Sequence, residues 1–408
     1  MADPEKPPVL LMALLVTGTT VGAGILGLPV TSGLAGALPA LISMVLAWAL
    51  MLFTGWVLMD CLVRHREREP DISTAMEMEL GRAGQWLASL SYLVFLYGLL
   101  VAYLAGGASV LSFLFHASGA RPWLMLGFFA VTAGISIYGL GLVRRCNAWL
   151  MLLMGLAFAV LVYKCAGAFQ ASRLARADWS FIPSAMPIIV CAFCFQCIIP
   201  TVTRDLGYDR KLIFRALLLG TGIALAFYLV WLISALAALP LSGTGQGNIL
   251  AAFRDDQPAT VPLAAALGSV TVTVSGMAFS LLAITTSFVG VGISLMGFWR
   301  DLLSGAERKF LIPALAFAPP LVLALLFPDL FLDALDIVGG GAIVFLFGLL
   351  PSLIFLRRAR SMPFPAKMAG WLALFMFAVI MLLEVFQEAG WMKVSPTTEH
   401  WLLHFPRL

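Results

Sequence analysis

Residues 19–30, TTVGAGILGLPV, lie in the middle of an apolar stretch that is long enough to cross a membrane. The segment contains three glycines and one proline: Gly22, Gly24, Gly27 and Pro29. Closely spaced glycines weaken a helix, and proline removes a backbone donor. Hydrocarbon tolerates a broken helix only where protein or a water-filled cavity receives the freed backbone groups. The sequence therefore predicts an unwound hinge over residues 19–24. A half-helix restarting near Ile25 would point its positive N-terminal end at an anion such as a carboxylate.

The same glycines allow two other interpretations. Residues 22–27 match the dinucleotide-binding pattern G-x-G-x-x-G, but no β-strand is predicted before them. No acidic residue lies between Glu5 and Asp60 to hold a ribose, and we therefore reject this interpretation. The second alternative, close helix packing through small residues, stays open because membrane helices often use it.

The composition indicates an all-α polytopic membrane protein. Of the 408 residues, 61% are hydrophobic and 11% are charged, whereas a soluble domain has about 25% charged residues. No charged residue occurs between Lys6 and Asp60, which leaves room for two spans of about 20 residues each. The start of the chain, MADPEKPP, lacks a basic n-region, so we expect no cleaved signal peptide. The expected partner is the lipid bilayer; nothing in the sequence indicates a nucleic acid or an obligate protein partner.

Hydropathy predicts eleven spans, named span 1 to span 11 in chain order. They cover residues 9–35, 37–62, 85–115, 122–143, 147–170, 183–203, 213–239, 266–298, 309–327, 331–356 and 367–388. We interpret residues 1–408 as one transmembrane domain. Its two halves would be residues 1–170 with spans 1–5 and residues 183–356 with spans 6–10, followed by the additional span 11. Hydropathy alone suggests this repeat, since the halves share no convincing residue-level similarity.

The Lys and Arg residues favour a cytoplasmic N-terminus, because these residues are enriched on the cytoplasmic side of membrane proteins. In that orientation 18 of the 25 Lys and Arg residues lie inside. The others lie outside: Arg121, Lys164, Arg173, Arg176, Arg254, Lys393 and Arg407. An odd number of spans then places the C-terminus outside. The outer loop, residues 241–262, is either a lid over an outer vestibule or a plain solvated connector.

Span 6 also carries signs of a break. Three prolines, Pro183, Pro187 and Pro200, flank the polar Gln196. Spans 1 and 6 take corresponding places in the two predicted halves, and paired interruptions of this kind point to a transporter site built from inverted repeats.

The cysteines of span 6 have the spacing C-x-x-C-x-x-C, which can hold an iron–sulfur cluster: Cys191, Cys194 and Cys197. A four-thiolate cluster needs one more ligand. The remaining cysteines lie near predicted span ends: Cys61, Cys146 and Cys165. We interpret the three cysteines of span 6 as small packing residues around a hinge, and we expect neither a cofactor nor a metal site.

Spans 8 and 10 hold candidate ligands for a coupling ion. The triplet Thr285, Thr286 and Ser287 either bonds its own helix backbone or supplies oxygen ligands to a small cation together with carbonyl groups freed in span 1. Intramembrane acids are functional candidates by default. Asp336 is the deepest of them and is our candidate proton carrier.

Several segments resemble the bacterial hydroxy and aromatic amino acid permeases, a family that includes tyrosine-specific and tryptophan permeases. They are residues 18–29, residues 48–58, the tyrosine-rich span 3, residues 193–196 with 199–200, and residues 286–291. The resemblance covers most of the chain. One departure is Gln196, where the sixth-span motif of the tyrosine permease has a histidine. This difference leaves the exact substrate open.

The resemblance implies the leucine-transporter fold, a 5+5 inverted repeat with one extra helix, and import of an aromatic amino acid with protons across the bacterial inner membrane. It implies that the backbone of residues 19–24 binds the substrate carboxylate. It also implies a second possible ion site, because sodium-coupled relatives of the fold bind sodium at the matching positions: Gly18, Val21, Thr285 and Thr286.

We therefore predict a secondary active transporter for tyrosine, tryptophan or phenylalanine, and not an enzyme. The predicted substrate-binding residues are Thr19, Thr20, Gly22, Ala23, Gly24, Tyr97, Phe193, Phe195, Gln196 and Gly290. The predicted coupling-ion residues are Gly18, Val21, Thr285, Thr286 and Asp336. A sodium symporter of another neutral amino acid, such as serine or threonine, is the main alternative. A passive channel would need charged rings or a carbonyl filter, and the sequence contains neither pattern.

Overall fold

The computed structural model describes residues 7–68, 70–138, 140–303, 310–359, 363–391, 393–394 and 403–404. Some residues that are named above or included in the count of Lys and Arg lie outside this description, either entirely or in their side chains: Glu5, Lys6, Arg144, Arg145, Cys146, Arg308, Lys309, Arg360, Lys393 and Arg407. The described chain is almost entirely helical. Two short strands, Lys393–Val394 and Leu403–His404, pair antiparallel.

The α-helices, in chain order, are Val9–Thr20, Gly24–Thr31, Ala37–Arg64, Ile72–Leu114, Arg121–Tyr138, Leu140–Ala166, Ala171–Leu174, Ile182–Ala192, Ile199–Asp205, Arg210–Ala238, Ile249–Arg254, Thr260–Leu267, Val270–Leu302, Leu311–Leu326, Phe331–Asp336, Leu350–Arg358 and Phe364–Glu388. Short 3₁₀ helices are Ser32–Leu34, Arg66–Arg68, Ser118–Ala120, Trp179–Phe181 and Gln196–Ile198. A π-helix, Ile337–Leu349, joins the two α-helical ends of span 10.

In the described part of the chain, eight helices are long and apolar enough to cross a membrane, and the bent pair of span 1 brings the number to nine. Two further helices, Arg121–Tyr138 and Leu311–Leu326, occupy the positions of predicted spans 4 and 9 but are not among these nine. The polytopic helical architecture is therefore confirmed, whereas the number of eleven spans stays a prediction.

Aspartate side chains cap the N-terminal ends of two helices. Asp71 accepts a hydrogen bond from the N–H of Thr74 at 2.7 Å, and Asp209 accepts from the N–H of Leu212 at 3.2 Å. Such caps satisfy backbone donors that the first turn leaves free. Gly81, with φ 78°, then separates residues 72–80 from the membrane-spanning part of span 3. A short helix thus precedes span 3.

A network of charged side chains joins the ends of spans 2, 7 and 10. Asp60 forms salt bridges with Arg64 at 2.6 Å and with Arg210 and Arg358 at 2.9 Å. Arg358 also pairs with Glu79 of the short helix before span 3. Because Asp60 is only 9% exposed, its charge needs these partners. The network fastens four separate elements at the end that the charge distribution assigns to the cytoplasm.

The outer loop contains two short helices, Ile249–Arg254 and Thr260–Leu267, and is fixed to the spans at two points. The carboxylate of Asp256 accepts hydrogen bonds from the N–H groups of Phe331 and, at 2.6 Å, Leu332. The N–H of Ala259 donates to the carbonyl of Leu26 at 2.9 Å. Burial raises the pKa of Asp256 to about 6, while the two backbone donors limit that rise. The loop is therefore attached to Leu26 within span 1 and to the start of span 10.

Candidate functional site

Span 1 is broken close to the predicted position. Helix 1a (Val9–Thr20) and helix 1b (Gly24–Thr31) are separated by residues 21–23, where the span bends by 57°. The break is narrower than the predicted hinge over residues 19–24. The N–H of Ala23 donates to the hydroxyl of Ser287 in span 8 at 3.2 Å. An amide of the hinge thus faces an oxygen acceptor.

Span 6 is also broken. Helix 6a (Ile182–Ala192) is followed by residues 193–195, which are not helical. A 3₁₀ turn then leads into helix 6b (Ile199–Asp205). The two breaks lie against each other, because a Cβ atom placed on Gly24 would be 3.2 Å from the Cα of Ala192. The structure therefore confirms both interruptions and brings them into backbone contact.

Tyr228 of span 7 connects the two breaks. Its hydroxyl lies 2.6 Å from the carbonyl oxygen of Thr20 and 2.7 Å from that of Ala192, and it donates to them. These carbonyls belong to the last residues of helices 1a and 6a, and the carbonyl of Thr20 also accepts from the N–H of Gly22 at 2.8 Å. The ring of Tyr228 meets the ring of Phe193 edge-on, with centroids 5.0 Å apart. Trp231, one turn further along span 7, donates to the carbonyl of Ile25 at 2.9 Å.

The predicted threonines of the hinge contact their own helix. Thr19 is exposed, and its hydroxyl donates to the Leu15 carbonyl at 2.8 Å. Thr20 is buried and donates to the Val16 carbonyl at 2.7 Å. Their side chains are thus used within helix 1a, and only the carbonyl of Thr20 turns towards span 7.

Of the predicted residues of span 6, Phe193 lies at the break, whereas Phe195 and Gln196 face span 2. A Cβ atom on Gly55 of span 2 would be 2.6 Å from the Phe195 ring. Gln196 is fully buried and donates through Nε2 to the carbonyl of Met51 at 3.3 Å. Its Oε1 atom is buried without a hydrogen-bond donor among the described residues.

Span 3 has a second tyrosine, Tyr103, in addition to the predicted Tyr97. Tyr97 donates to the carbonyl of Leu315 at 2.6 Å and accepts from the indole of Trp299 at 3.0 Å, which places it against spans 8 and 9. Tyr103 is buried beside Ser287 and Cys191, next to both breaks. Tyr103 is therefore a further candidate for the aromatic residue of span 3 at the site.

Of the predicted coupling-ion residues, Thr286 contacts its own helix. Thr286 donates to the carbonyls of Leu282 at 2.8 Å and Ala283 at 3.2 Å within its own helix. Thr285 is half-buried, and Val21 is 7% exposed at the end of helix 1a. The sodium site at these positions stays a prediction.

Two predicted glycines lie away from the contact between the breaks. A Cβ atom on Gly18 would be 2.3 Å from the Cε of Met151 in span 5. Gly290 is exposed, and a Cβ atom placed there would meet open space. In the part of the chain that the structure describes, no group of His, Cys, Asp and Glu side chains is arranged to hold a metal ion.

The sequence model of the tryptophan/tyrosine permease family matches residues 5–389. Two similar relatives come from Haemophilus influenzae. Tyrosine-specific transport system 2 is 30% identical over 94% of this chain and 97% of the relative, and tyrosine-specific transport system 1 is 31% identical over 88% and 90%. A tryptophan-specific transport protein of Pseudomonas aeruginosa is 26% identical over 82% of this chain and 83% of its own length.

Two solved transporters have the same fold. MhsT in complex with L-phenylalanine superposes with a TM-score of 0.64 at 16% identity, covering 94% of this chain and 99% of MhsT. A variant of the Eremococcus coleocola manganese transporter gives a TM-score of 0.60 at 15% identity, covering 95% and 89%. The chain therefore has the leucine-transporter fold that the resemblance implied. It belongs to the tryptophan/tyrosine permease family, whose members are transporters and not enzymes.

Proposed function

We propose that this chain imports an aromatic amino acid by proton symport, with the substrate bound between the breaks of spans 1 and 6. The backbone contact between Gly24 and Ala192 is the observation that carries this proposal. Two half-helix ends that meet inside a membrane provide free amide and carbonyl groups, which a zwitterion requires. The names of the relatives, tyrosine- and tryptophan-specific transport proteins, support the substrate class.

The geometry suggests how each part of the substrate is held. The amides of residues 22–24 bind the carboxylate, and the amide of Ala23 faces the Ser287 hydroxyl. Carbonyl groups at the ends of helices 1a and 6a accept the ammonium group. Phe193, Tyr103 and Tyr228 enclose the aromatic ring, since aromatic pairs favour edge-on or offset contacts. We place the protein in the bacterial inner membrane with a cytoplasmic N-terminus and a periplasmic C-terminus.

Asp336 is the proposed proton carrier. Its Oδ1 atom is buried without a hydrogen-bond partner among the described residues. Thr286 donates its hydroxyl hydrogen within its own helix, which leaves the lone pairs of its oxygen free. A threonine hydroxyl does not titrate near neutral pH, whereas a buried carboxyl group can hold and release a proton. The unpartnered Oδ1 atom of Asp336 supports protons as the coupling ion.

Transport by the purified protein in liposomes tests this function. With sodium-free buffer and an imposed inward proton gradient, the protein is expected to concentrate labelled tyrosine, tryptophan or phenylalanine, because the substrate would move together with protons. A protonophore is expected to abolish the accumulation. Strict dependence on a sodium gradient would overturn proton coupling, and equilibration without any ion gradient would indicate a passive pore.

The Gln196→Leu substitution is expected to change the preference for the substrate ring. Gln196 carries a buried carbonyl oxygen without a donor, which a phenol hydroxyl can satisfy. A site that hydrogen-bonds a hydroxyl rejects the analogue that lacks it. Losing one such bond is expected to lower the ratio of tyrosine to phenylalanine transport efficiency by roughly tenfold. The measurement is competitive uptake of the two amino acids.

Gln257→Leu is the matched control, because the Oε1 atom of Gln257 is also buried without a partner but lies in the outer loop. That variant is expected to keep the wild-type ratio. An unchanged ratio in Gln196→Leu would place Gln196 outside the substrate site.

A further inference from the structure

The contact between spans 10 and 11 brings carboxyl groups together. Glu384 of span 11 lies flat on the glycine backbone of span 10. A Cβ atom placed on Gly340 would be only 2.6 Å from the Cγ of Glu384 and 2.9 Å from its Cδ. Asp336 lies four residues before Gly340, at the start of the π-helix. Such separations place two residues on one face of a helix, and Asp336 and Glu384 are near enough for their charges to interact.

These two carboxyl groups have no cationic partner. Glu384 is 5% exposed, and its Oε1 atom and the Oδ1 atom of Asp336 are both buried without hydrogen-bond partners. None of the salt bridges among the described residues includes either of them. An isolated ionised carboxylate is very costly in an apolar environment, and two adjacent ones also repel each other. At least one of the pair must therefore carry a proton.

The other titratable groups around the pair offer no positive charge either. They are Asp333 on span 10, Glu388 on span 11 and Cys191 on helix 6a. Asp333 and Glu388 are exposed, and each lies about one turn from a member of the pair, towards the outer end of its span. Because both are exposed, their charges are less costly than those of the buried pair.

Span 10, which carries Asp336, also packs against helix 6a of the proposed substrate site. A Cβ atom on Gly339 would be 2.1 Å from the carbonyl oxygen of Pro187 and 3.1 Å from the Cβ of Cys191, so span 10 packs on the backbone of helix 6a. Helix 6a ends at Ala192, the residue after Cys191. The Ala192 carbonyl accepts a hydrogen bond from the hydroxyl of Tyr228. The π-helix after Asp336 is a type of segment that occurs often at functional sites.

We propose that Asp336 and Glu384 together hold one proton, and that this shared proton is the coupling proton of transport. The proton neutralises one of the two carboxyl groups and so removes their mutual repulsion. The proton arrives from the outer solvent and leaves to the cytoplasm, and no other bond forms or breaks. Its departure leaves two facing carboxylates whose repulsion shifts span 10 against helix 6a. The inference rests on the proposed proton symport and assigns span 11 a role in coupling.

The test compares Glu384→Gln, Asp336→Asn and the control Glu388→Gln in sodium-free liposomes. Glu388 is exposed, so water can replace its carboxylate, and that variant is expected to accumulate substrate normally. Glu384→Gln and Asp336→Asn are both expected to exchange labelled for unlabelled substrate across the membrane. Neither is expected to concentrate substrate on a proton gradient or to make the external medium more alkaline during uptake.

Glu384→Asp retains a carboxyl group and is expected to regain part of the accumulation and of the external alkalinisation. A purely structural role of Glu384 would not predict this rescue together with intact exchange. Accumulation and alkalinisation at wild-type levels in Glu384→Gln would overturn the inference while proton symport itself still stood. If the wild-type protein ignores the proton gradient, the proposed function fails first.

Discussion

Gly24→Val is expected to abolish substrate binding while the protein stays folded. Gly24 begins helix 1b, and a Cβ atom there would lie 3.2 Å from the Cα and 3.6 Å from the backbone nitrogen of Ala192. Valine adds two further methyl groups at this contact, so the breaks of spans 1 and 6 must separate. Overpacking of this kind costs about 1–3 kcal/mol, and the separated breaks no longer present their amide and carbonyl groups to one substrate.

The measurement is the rise in melting temperature that saturating tyrosine, tryptophan or phenylalanine gives the purified protein. Gly222→Val in span 7 is the matched control, because a Cβ atom at Gly222 would meet nothing within 4 Å. The control is expected to retain the full rise, and Gly24→Val is expected to lose it while still eluting as a single folded species. Normal stabilisation of Gly24→Val would mean that the glycine serves helix packing alone.

The helix breaks could be predicted from the sequence because they depend on local chemistry. Three glycines and a proline within an apolar run weaken span 1 wherever the rest of the chain lies. The prolines of span 6 act in the same way, and both breaks lie within the predicted segments. The lengths of the apolar runs likewise indicated the long spans, since the bilayer thickness fixes the length of a crossing helix.

The residues that surround the breaks depend on how each helix is rotated, which the sequence of a uniformly apolar helix does not reveal. Tyr97 and Tyr103 are six residues apart, so they point about 120° apart around span 3. Only Tyr103 lies beside Ser287. Span 7 has many apolar residues on all sides, so its sequence does not single out Tyr228. In the structure the Tyr228 hydroxyl lies at the ends of two helices.

The hydroxyl triplet of span 8 shows the same limit. Thr286 and Ser287 are neighbours, but successive residues of a helix point about 100° apart. Thr286 therefore bonds the carbonyls of its own helix, and Ser287 reaches the amide of Ala23 in span 1. The sequence left both kinds of contact open for this triplet; in the structure Thr286 bonds its own helix and Ser287 contacts the span 1 break.

Gly339→Ala is expected to destabilise the protein and to reduce transport strongly. The added Cβ atom would be 2.1 Å from the carbonyl oxygen and 2.6 Å from the carbonyl carbon of Pro187, so backbone must move. Neither atom belongs to a flexible side chain that could turn away. Inserting a methyl group into such a packed contact costs about 1–3 kcal/mol. The resulting shift would move span 10, and with it Asp336, away from helix 6a.

Gly341→Ala gives a closely matched comparison, because Gly341 lies in the same π-helix and a Cβ atom there would meet nothing within 4 Å. Replacing a glycine with alanine at a compatible position reduces the entropy of the unfolded chain. Gly341→Ala is therefore expected to melt at or slightly above the wild-type temperature and to transport normally. Gly339→Ala is expected to melt lower and to lose proton-driven accumulation. Equal melting temperatures and uptake rates for the two variants would show that span 10 does not depend on its backbone contact with helix 6a.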